Sequence, residues 1–395
     1  MADAEANHFF WRLIPLGRWR LAWTSLRRRR VRMVGAAEAG RFHPLPPEQP
    51  YPRRRPRIEK APPEFFMDWL WTNPPSPPAG GMVSLERICS VSGGVLLTEQ
   101  GQIIAESLSN TEDAEEFKPF RRLSGGGLTI RCSPLTPIRV LSGDYIYLRQ
   151  FFDGNYGHWL IDLLPRIAIA AQFSDLSRCK IVVTDKTGGM GRIYRDSLAL
   201  FGIEPEQIVE IRRRPVFFER LHYPLPVSRH PWVKSPRAIE ILEGLPEKLG
   251  ATRDGPKRLY VTRNSGKKRR LTNEEDILAL LRPLGFVLVD PGKLSFADQV
   301  RTFAGAEQIV GNCGAGLTNL VFSRRGVSVF ALTTPFMLDD FFWDLTDLKL
   351  GRFFSLHGVA NEPAKGSKSD FSIDLAAFKP MLAEFLGEGA LAIAD

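Results

Sequence analysis

Residues 307–332 read EQIVGNCGAGLTNLVFSRRGVSVFAL. Glu307 to Val310 has the texture of a buried strand, Gly314 to Phe322 of a helix, and Val327 to Leu332 of the next strand. The same grammar extends outward in both directions. Toward the N-terminus it gives a strand at Leu259 to Thr262, a helix at Asn273 to Leu281, a strand at Phe286 to Val289 and a helix at Phe296 to Ala304. Earlier still it gives a strand at Asp144 to Leu148, a helix at Gly157 to Ala171, a strand at Lys180 to Thr184 and a helix at Ile193 to Phe201. Alternating strands and helices imply parallel sheets, so the chain is expected to be α/β with two Rossmann-like units. If the two sheets face each other, the carboxyl ends of their strands line a shared cleft.

Around that frame, Met82 to Arg149 reads as a β-rich lead-in, with a hairpin about Gln100-Gly101. A helix is expected at Pro236 to Leu249, and GATRDGPKR after it marks a boundary. The division expected is residues 1–81 as a basic, Pro-rich arm and linker, residues 82–249 as the lead-in with the first unit, and residues 250–395 as the second unit.

The composition is that of an ordinary globular chain: 395 residues, 44% hydrophobic and 25% charged, which excludes a disordered or collagen-like whole. Its net charge of +9 is localised. Residues 1–60 carry 14 Lys and Arg against 5 Asp and Glu, so the remainder is neutral, which argues against a nucleic-acid-binding globule. Within residues 9–34, Phe9, Phe10, Trp11, Trp19 and Trp23 interleave with Arg12, Arg18, Arg20 and Arg27 to Arg30, a pattern suited to peripheral contact with an anionic membrane. A solvated tail docked on the body is the plainer reading. Residues 44–63 and 73–81 are Pro-rich and read as extended linkers or wrapping segments. The four cysteines form no CxxC pair, no apolar run reaches membrane-spanning length, and MADAEANHFF lacks the order of a secretion signal. A cytoplasmic location, peripheral at the inner face of the membrane, is the expectation.

Three segments have the residue types that chemistry needs. In GNCGAGLTNLVF, residues 311–322, Gly314 and Gly316 let the backbone approach a ligand, and the start of the following helix favours an anion. In RLYVTRNSGKKRRLTNEEDI, residues 258–277, Arg263, Arg269 and Arg270 gather positive charge at a strand's carboxyl end, while Thr272 and Glu275 fit a capping box. In FFDGNYGHWLIDLLPRI, residues 151–167, His158 and Asp162 stand one turn apart, as a general base and its orienting carboxylate would. Taken singly, each has a structural alternative: a tight βα turn, a solvated loop, a helix-start histidine with an ion-pairing aspartate. There is no HExxH, GxSxG, GxGxxG or Asp-x-Asp motif, which weakens metalloprotease, hydrolase and nicotinamide-dependent readings.

In order and wording, GHWLIDLLPR, YVTRNSGKKRRLTNE and NCGAGLTNLVF resemble glycosyltransferase family 61, the DUF563-type proteins described as capsular polysaccharide biosynthesis proteins. The resemblance spans roughly residues 145–335. It implies a GT-B-like pair of facing Rossmann-like domains and transfer of a sugar with inversion from a nucleotide-sugar donor to a glycan acceptor in cell-surface polysaccharide synthesis. It also implies no bound metal and no resident cofactor. Under it, His158 and Asp162 are the catalytic candidates. Arg263, Arg269, Arg270, Asn273, Glu274, Cys313, Gly314, Ala315, Gly316, Leu317 and Asn319 are the candidates for holding the donor and its diphosphate. The family carries histidine where this chain has Cys313, which leaves a noncatalytic sugar-nucleotide or glycan-binding subunit as the alternative.

Overall fold

The computed structural model describes residues 32–62, 74–108, 120–122, 128–130, 139–186, 188–212, 214–229, 232–337 and 340–387. The aromatic and arginine-rich part of the arm, residues 9–31, lies outside them.

The expected α/β class is met, with two sheets as its frame. The rear sheet has six strands, all parallel, in the order Val287–Val289, Arg258–Val261, Gln308–Asn312, Ser328–Thr333, Phe353–His357 and Arg57–Glu59. Its inner strands are almost wholly apolar and buried, as a sheet covered on both faces requires. On one face the helices Glu274–Leu281 and Leu375–Leu386 bury Ile277, Leu278, Phe378, Leu382 and Phe385 against Tyr260, Val310, Phe330 and Phe354. The other face meets the front half of the molecule.

The front sheet has nine strands and mixed direction. Arg139–Tyr147, Lys180–Thr184 and Ile208–Ile211 run parallel, as βα units do, while the long Gly81–Ser90 strand of the lead-in pairs antiparallel with Val216–Pro224. The lead-in and the first βα units therefore share one sheet. Leu97 pairs with Ile103, so the hairpin about Gln100-Gly101 is present. Between the sheets, Leu160, Leu164 and Ile167 of the front half share one continuous core with Phe303, Leu317, Leu320 and Val321 of the rear half.

The Pro-rich stretch is structural in an unexpected way. Arg57–Glu59 forms the edge strand of the rear sheet beside Phe353–His357, whereas Arg41–Pro44 pairs with Gly81–Ser90 in the front sheet. The chain thus straps one half to the other before either half's main strands begin. Its basic residues meet acids of the rear half: Arg53 pairs with Asp340 and Asp344, Arg54 with Asp347, Arg57 with Glu384, and Lys60 with Asp374. Part of the charge assigned to a free arm is neutralised on the body.

Three helices differ from their expected form. The stretch expected to be helical over 157–171, with a kink or early stop at Pro165, is a short turn, Tyr156–His158, then a wide π-turn over Trp159–Leu163 closed by Leu164 N–H donating to Trp159 O at 2.8 Å, then Pro165–Ala170. Pro165 has no N–H to give and its ring crowds the preceding turn, and widening that turn accommodates it. Pro236–Glu243 ends at Gly244 and a separate turn, Leu245–Lys248, follows with Pro246 inside it. Ala315–Phe322 winds as a 3-10 helix.

Candidate functional site

Arg258–Val261 and Gln308–Asn312 are neighbours in the rear sheet, and the chain leaves them toward opposite flanks. That is a topological switch point, where open α/β sheets leave a crevice outside the carboxyl ends of their strands. The basic loop and the glycine turn both start there.

The loop is fixed at its root. Thr262 and Tyr260 donate hydroxyl hydrogens to Glu274 at 2.6 and 3.0 Å, and Asn264 closes the loop by exchanging two bonds with the Leu271 backbone, each 2.8 Å. Arg263 follows the strand directly and lays its side chain over Gly314. A Cβ at position 314 would run into the guanidinium and displace it, so glycine is what lets Arg263 lie there, the glycine backbone being ordinarily extended. Arg269 holds a left-handed backbone, φ 58°. The Asn312 side chain, donating to the Arg269 carbonyl at 3.0 Å, ties this backbone to the end of the glycine-bearing strand.

The electrostatics of this corner are unbalanced. The Arg263 pKa is pushed down to about 10, first by burial and then by the neighbouring Arg269, with Cys313 acting the other way. Among the described residues no carboxylate pairs with either arginine. Arg263 remains protonated at neutral pH, and a partly desolvated cation beside a second guanidinium favours an anion between them. The Ala315 and Gly316 amides open the 3-10 helix and, as at any helix start, have no intrahelical acceptor.

Other expected donor residues are engaged elsewhere. Arg270 is ion-paired with Asp370 at 2.7 Å. Asn273 exchanges bonds of 2.8 and 3.0 Å with the Ile373 backbone. The Thr272–Glu275 capping box does not form, because the Thr272 hydroxyl donates to Phe371 O at 3.1 Å and its N–H to the same oxygen at 2.8 Å. Pairing of residues 270–273 with residues 370–373 outcompetes the local cap. Leu317 is core, and Asn319 is a buried joint that donates to Gln299 at 2.8 Å and accepts from Tyr156 at 2.5 Å. Cys313 lines a small pocket with Thr333, Met337, Asp340, Ser355 and His357. Burial lowers the His357 pKa to about 4, so its ring is neutral.

From the front half, Asn155 caps the Tyr156–His158 turn by accepting from Gly157 N at 2.8 Å. His158 Nδ1 lies 2.7 Å from the Asp162 carboxylate. Asp162 is buried and further held by Ser228, by Gln150 at 3.1 Å, and through Gln150 by Arg166 at 2.6 Å. A proton kept on Nδ1 by the carboxylate makes Nε2 the basic nitrogen. The two halves meet at this turn: a Cβ on Gly157 would stand 3.0 Å from Thr318 Oγ1 of the glycine-led helix.

Gln150, Arg166, Ser228, Asn312 and His357 were not singled out from sequence. Asn312 and Arg166 lie inside the quoted motifs and Gln150 directly precedes one, so all three were within reach of the sequence. Ser228 and His357 sit in no motif, and only the fold brings them in.

Among the described residues, no three His, Cys, Asp or Glu side chains converge as a metal site, and no helix is long and apolar enough to cross a membrane. No curated protein matches the chain. Residues 156–330, from the turn that bears His158 to the strand beyond the glycine-led helix, match the family model of Glycosyltransferase 61.

Proposed function

We propose that the chain is an inverting, metal-independent glycosyltransferase that moves a sugar from a nucleotide-sugar donor to a glycan acceptor in cell-surface polysaccharide synthesis. Residues 82–249 and 250–395 serve as the acceptor and donor sides of a GT-B-like pair. His158 Nε2 takes the acceptor hydroxyl proton while Asp162 steadies the imidazolium that results. The acceptor oxygen forms its bond to the anomeric carbon as the bond from that carbon to the diphosphate oxygen breaks. Arg263, Arg269 and the Ala315 and Gly316 amides receive the departing negative charge. The observation that carries this reading is Arg263 laid over Gly314 at the switch point, beside a second arginine without a carboxylate partner among the described residues. No resident cofactor or metal enters the proposed step.

The test is a thermal-shift screen with UDP, GDP and CMP on the parent and on Arg263→Ala. One nucleotide is expected to raise the parent Tm, and the arginine variant to lose most of that rise. Equal stabilisation of both proteins rejects the assignment of Arg263. Binding of a sugar nucleotide without transfer or hydrolysis would favour the noncatalytic alternative, which the cysteine at position 313 motivates.

A further inference from the structure

Phe152 stands out on three counts. It is 52% exposed, whereas Gln150 and Asp153 of the same turn are buried. Its backbone is left-handed, φ 61°, a conformation that costs a non-glycine residue and persists only where the surroundings impose it. Its ring lies nearly parallel to the His158 imidazole, at 16° and a centroid distance of 5.6 Å.

The surroundings do impose it. Asn155 N–H donates to the Phe152 carbonyl at 2.8 Å, Tyr194 OH donates to the Asp153 carbonyl at 2.8 Å, and Thr184 donates to the Asp153 carboxylate. Gln150, two residues earlier, is bonded to Asp162. The turn is thus rigid and built into the support of the His158–Asp162 pair, yet it presents a phenyl ring outward. Parallel rings in contact are about 3.5 Å apart plane to plane. At 5.6 Å between centroids the imidazole does not sit squarely on the phenyl, and although Phe151 packs against that ring at 4.1 Å and 54°, Phe152 keeps 52% of its surface open to solvent beside His158.

We infer that Phe152 is the stacking platform for the acceptor, receiving the C–H face of a pyranose ring so that one of its hydroxyls lies against His158. This rests on the transferase reading above and deepens it. An aromatic face attracts polarised C–H groups through its negative quadrupole, and a rigid phenyl loses little entropy on binding. The location selects the acceptor over the donor. The platform adjoins the base, which must touch the acceptor hydroxyl, whereas the unpaired arginines belong to the rear sheet.

The experiment is saturation-transfer NMR on the full chain with methyl glycosides of galactose, mannose and xylose as probes, run beside the nucleotide thermal shifts. The variants are Phe152→Ala, Phe152→Tyr and Phe152→Gly. Saturation of ring C–H protons of at least one glycoside is expected in the parent and in Phe152→Tyr, falling to a third or less in Phe152→Ala and Phe152→Gly. Glycine fits the left-handed backbone, so Phe152→Gly should melt no lower than the parent while losing the sugar contact, which separates binding from folding. If a nucleotide stabilises the protein but no glycoside is saturated, or saturation is indifferent to Phe152, the platform is wrong and the transferase reading stands. If no nucleotide binds, the transferase reading fails and the platform falls with it.

Discussion

Replacing Lys234 with methionine keeps the side chain's length and removes its charge, which tests the buried cluster beneath the strap. Lys234 Nζ is 2.9 Å from Asp344, Arg53 is 2.6 Å from Asp340 and 2.8 Å from Asp344, and all four side chains are at most 2% exposed. Tyr51 OH also donates to Asp344 at 2.9 Å. Two cations balance two carboxylates, and without Lys234 both acids share Arg53. Breaking a buried pair from one side costs about 3–5 kcal/mol. Arg53 and Tyr51 remain on Asp344, so the lower end, about 3 kcal/mol, is expected at pH 8.

The loss depends on pH, with a definite sign. Burial pushes Asp340 up to about 6, and Lys234 is the first of the charges opposing that rise. A carboxyl whose folded pKa exceeds its unfolded value near 3.8 binds its proton more tightly when folded, so its share of stability is greatest below pH 4 and is lost as pH rises through 6. Removing Lys234 raises Asp340 further and extends that loss to higher pH. The deficit of Lys234→Met should therefore be largest at pH 8 and smaller at pH 5, where Asp340 takes up a proton. Urea unfolding of the parent, Lys234→Met and the double variant Lys234→Met/Asp344→Leu at both pH values measures this. The double variant, which also removes the stranded acid, should regain most of the loss. A single-variant loss under about 1 kcal/mol at pH 8, or an equal loss at both pH values, refutes the reasoning.

Gly314→Ala displaces the Arg263 guanidinium, so nucleoside-diphosphate affinity should fall at least about tenfold by calorimetry while the fold is kept; unchanged affinity would separate Arg263 from the anion. Asp162→Asn preserves the shape beside His158 but withdraws the charge that steadies an imidazolium, and turnover should drop about 10²–10⁴-fold with little change in donor binding. Removing residues 1–31 should abolish cosedimentation with phosphatidylserine-containing vesicles; full retention counts against the membrane role of the arm.

What could be read in the sequence was local. The βα alternation from Asp144 to Leu332 follows from apolar runs and glycine turns, and the rear sheet has nearly those boundaries. That Arg263 and Gly314 meet depends on strand order, since Val287–Val289 separates their strands in sequence but lies to the outside of both in the sheet, and alternation does not fix that order. What could not be read depended on partners distant in sequence. Nothing in PRRRPRIE says that Arg57–Glu59 will lie beside Phe353–His357. Arg269 and Arg270 look interchangeable in a run of basic residues, yet Asn312 sets one backbone and Asp370 captures the other side chain. The Thr272 cap was a sound local inference overruled by residues about a hundred positions later. Phe152 stands within a quoted motif without an assigned role, because exposure and dihedral angle leave no mark in composition.

The strap also sets an order of events during synthesis. Arg57–Glu59 leaves the ribosome roughly 300 residues ahead of Phe353–His357, its sheet neighbour among the described residues. At about 5–20 residues per second the segment waits on the order of 15–60 seconds, carrying its arginines uncompensated until Asp340 and Asp344 appear. Closure of the rear sheet therefore waits on residues 353–357, and a nascent chain stalled before residue 340 holds a basic ribbon, without its acidic partners, open to chaperones and to any acidic surface nearby.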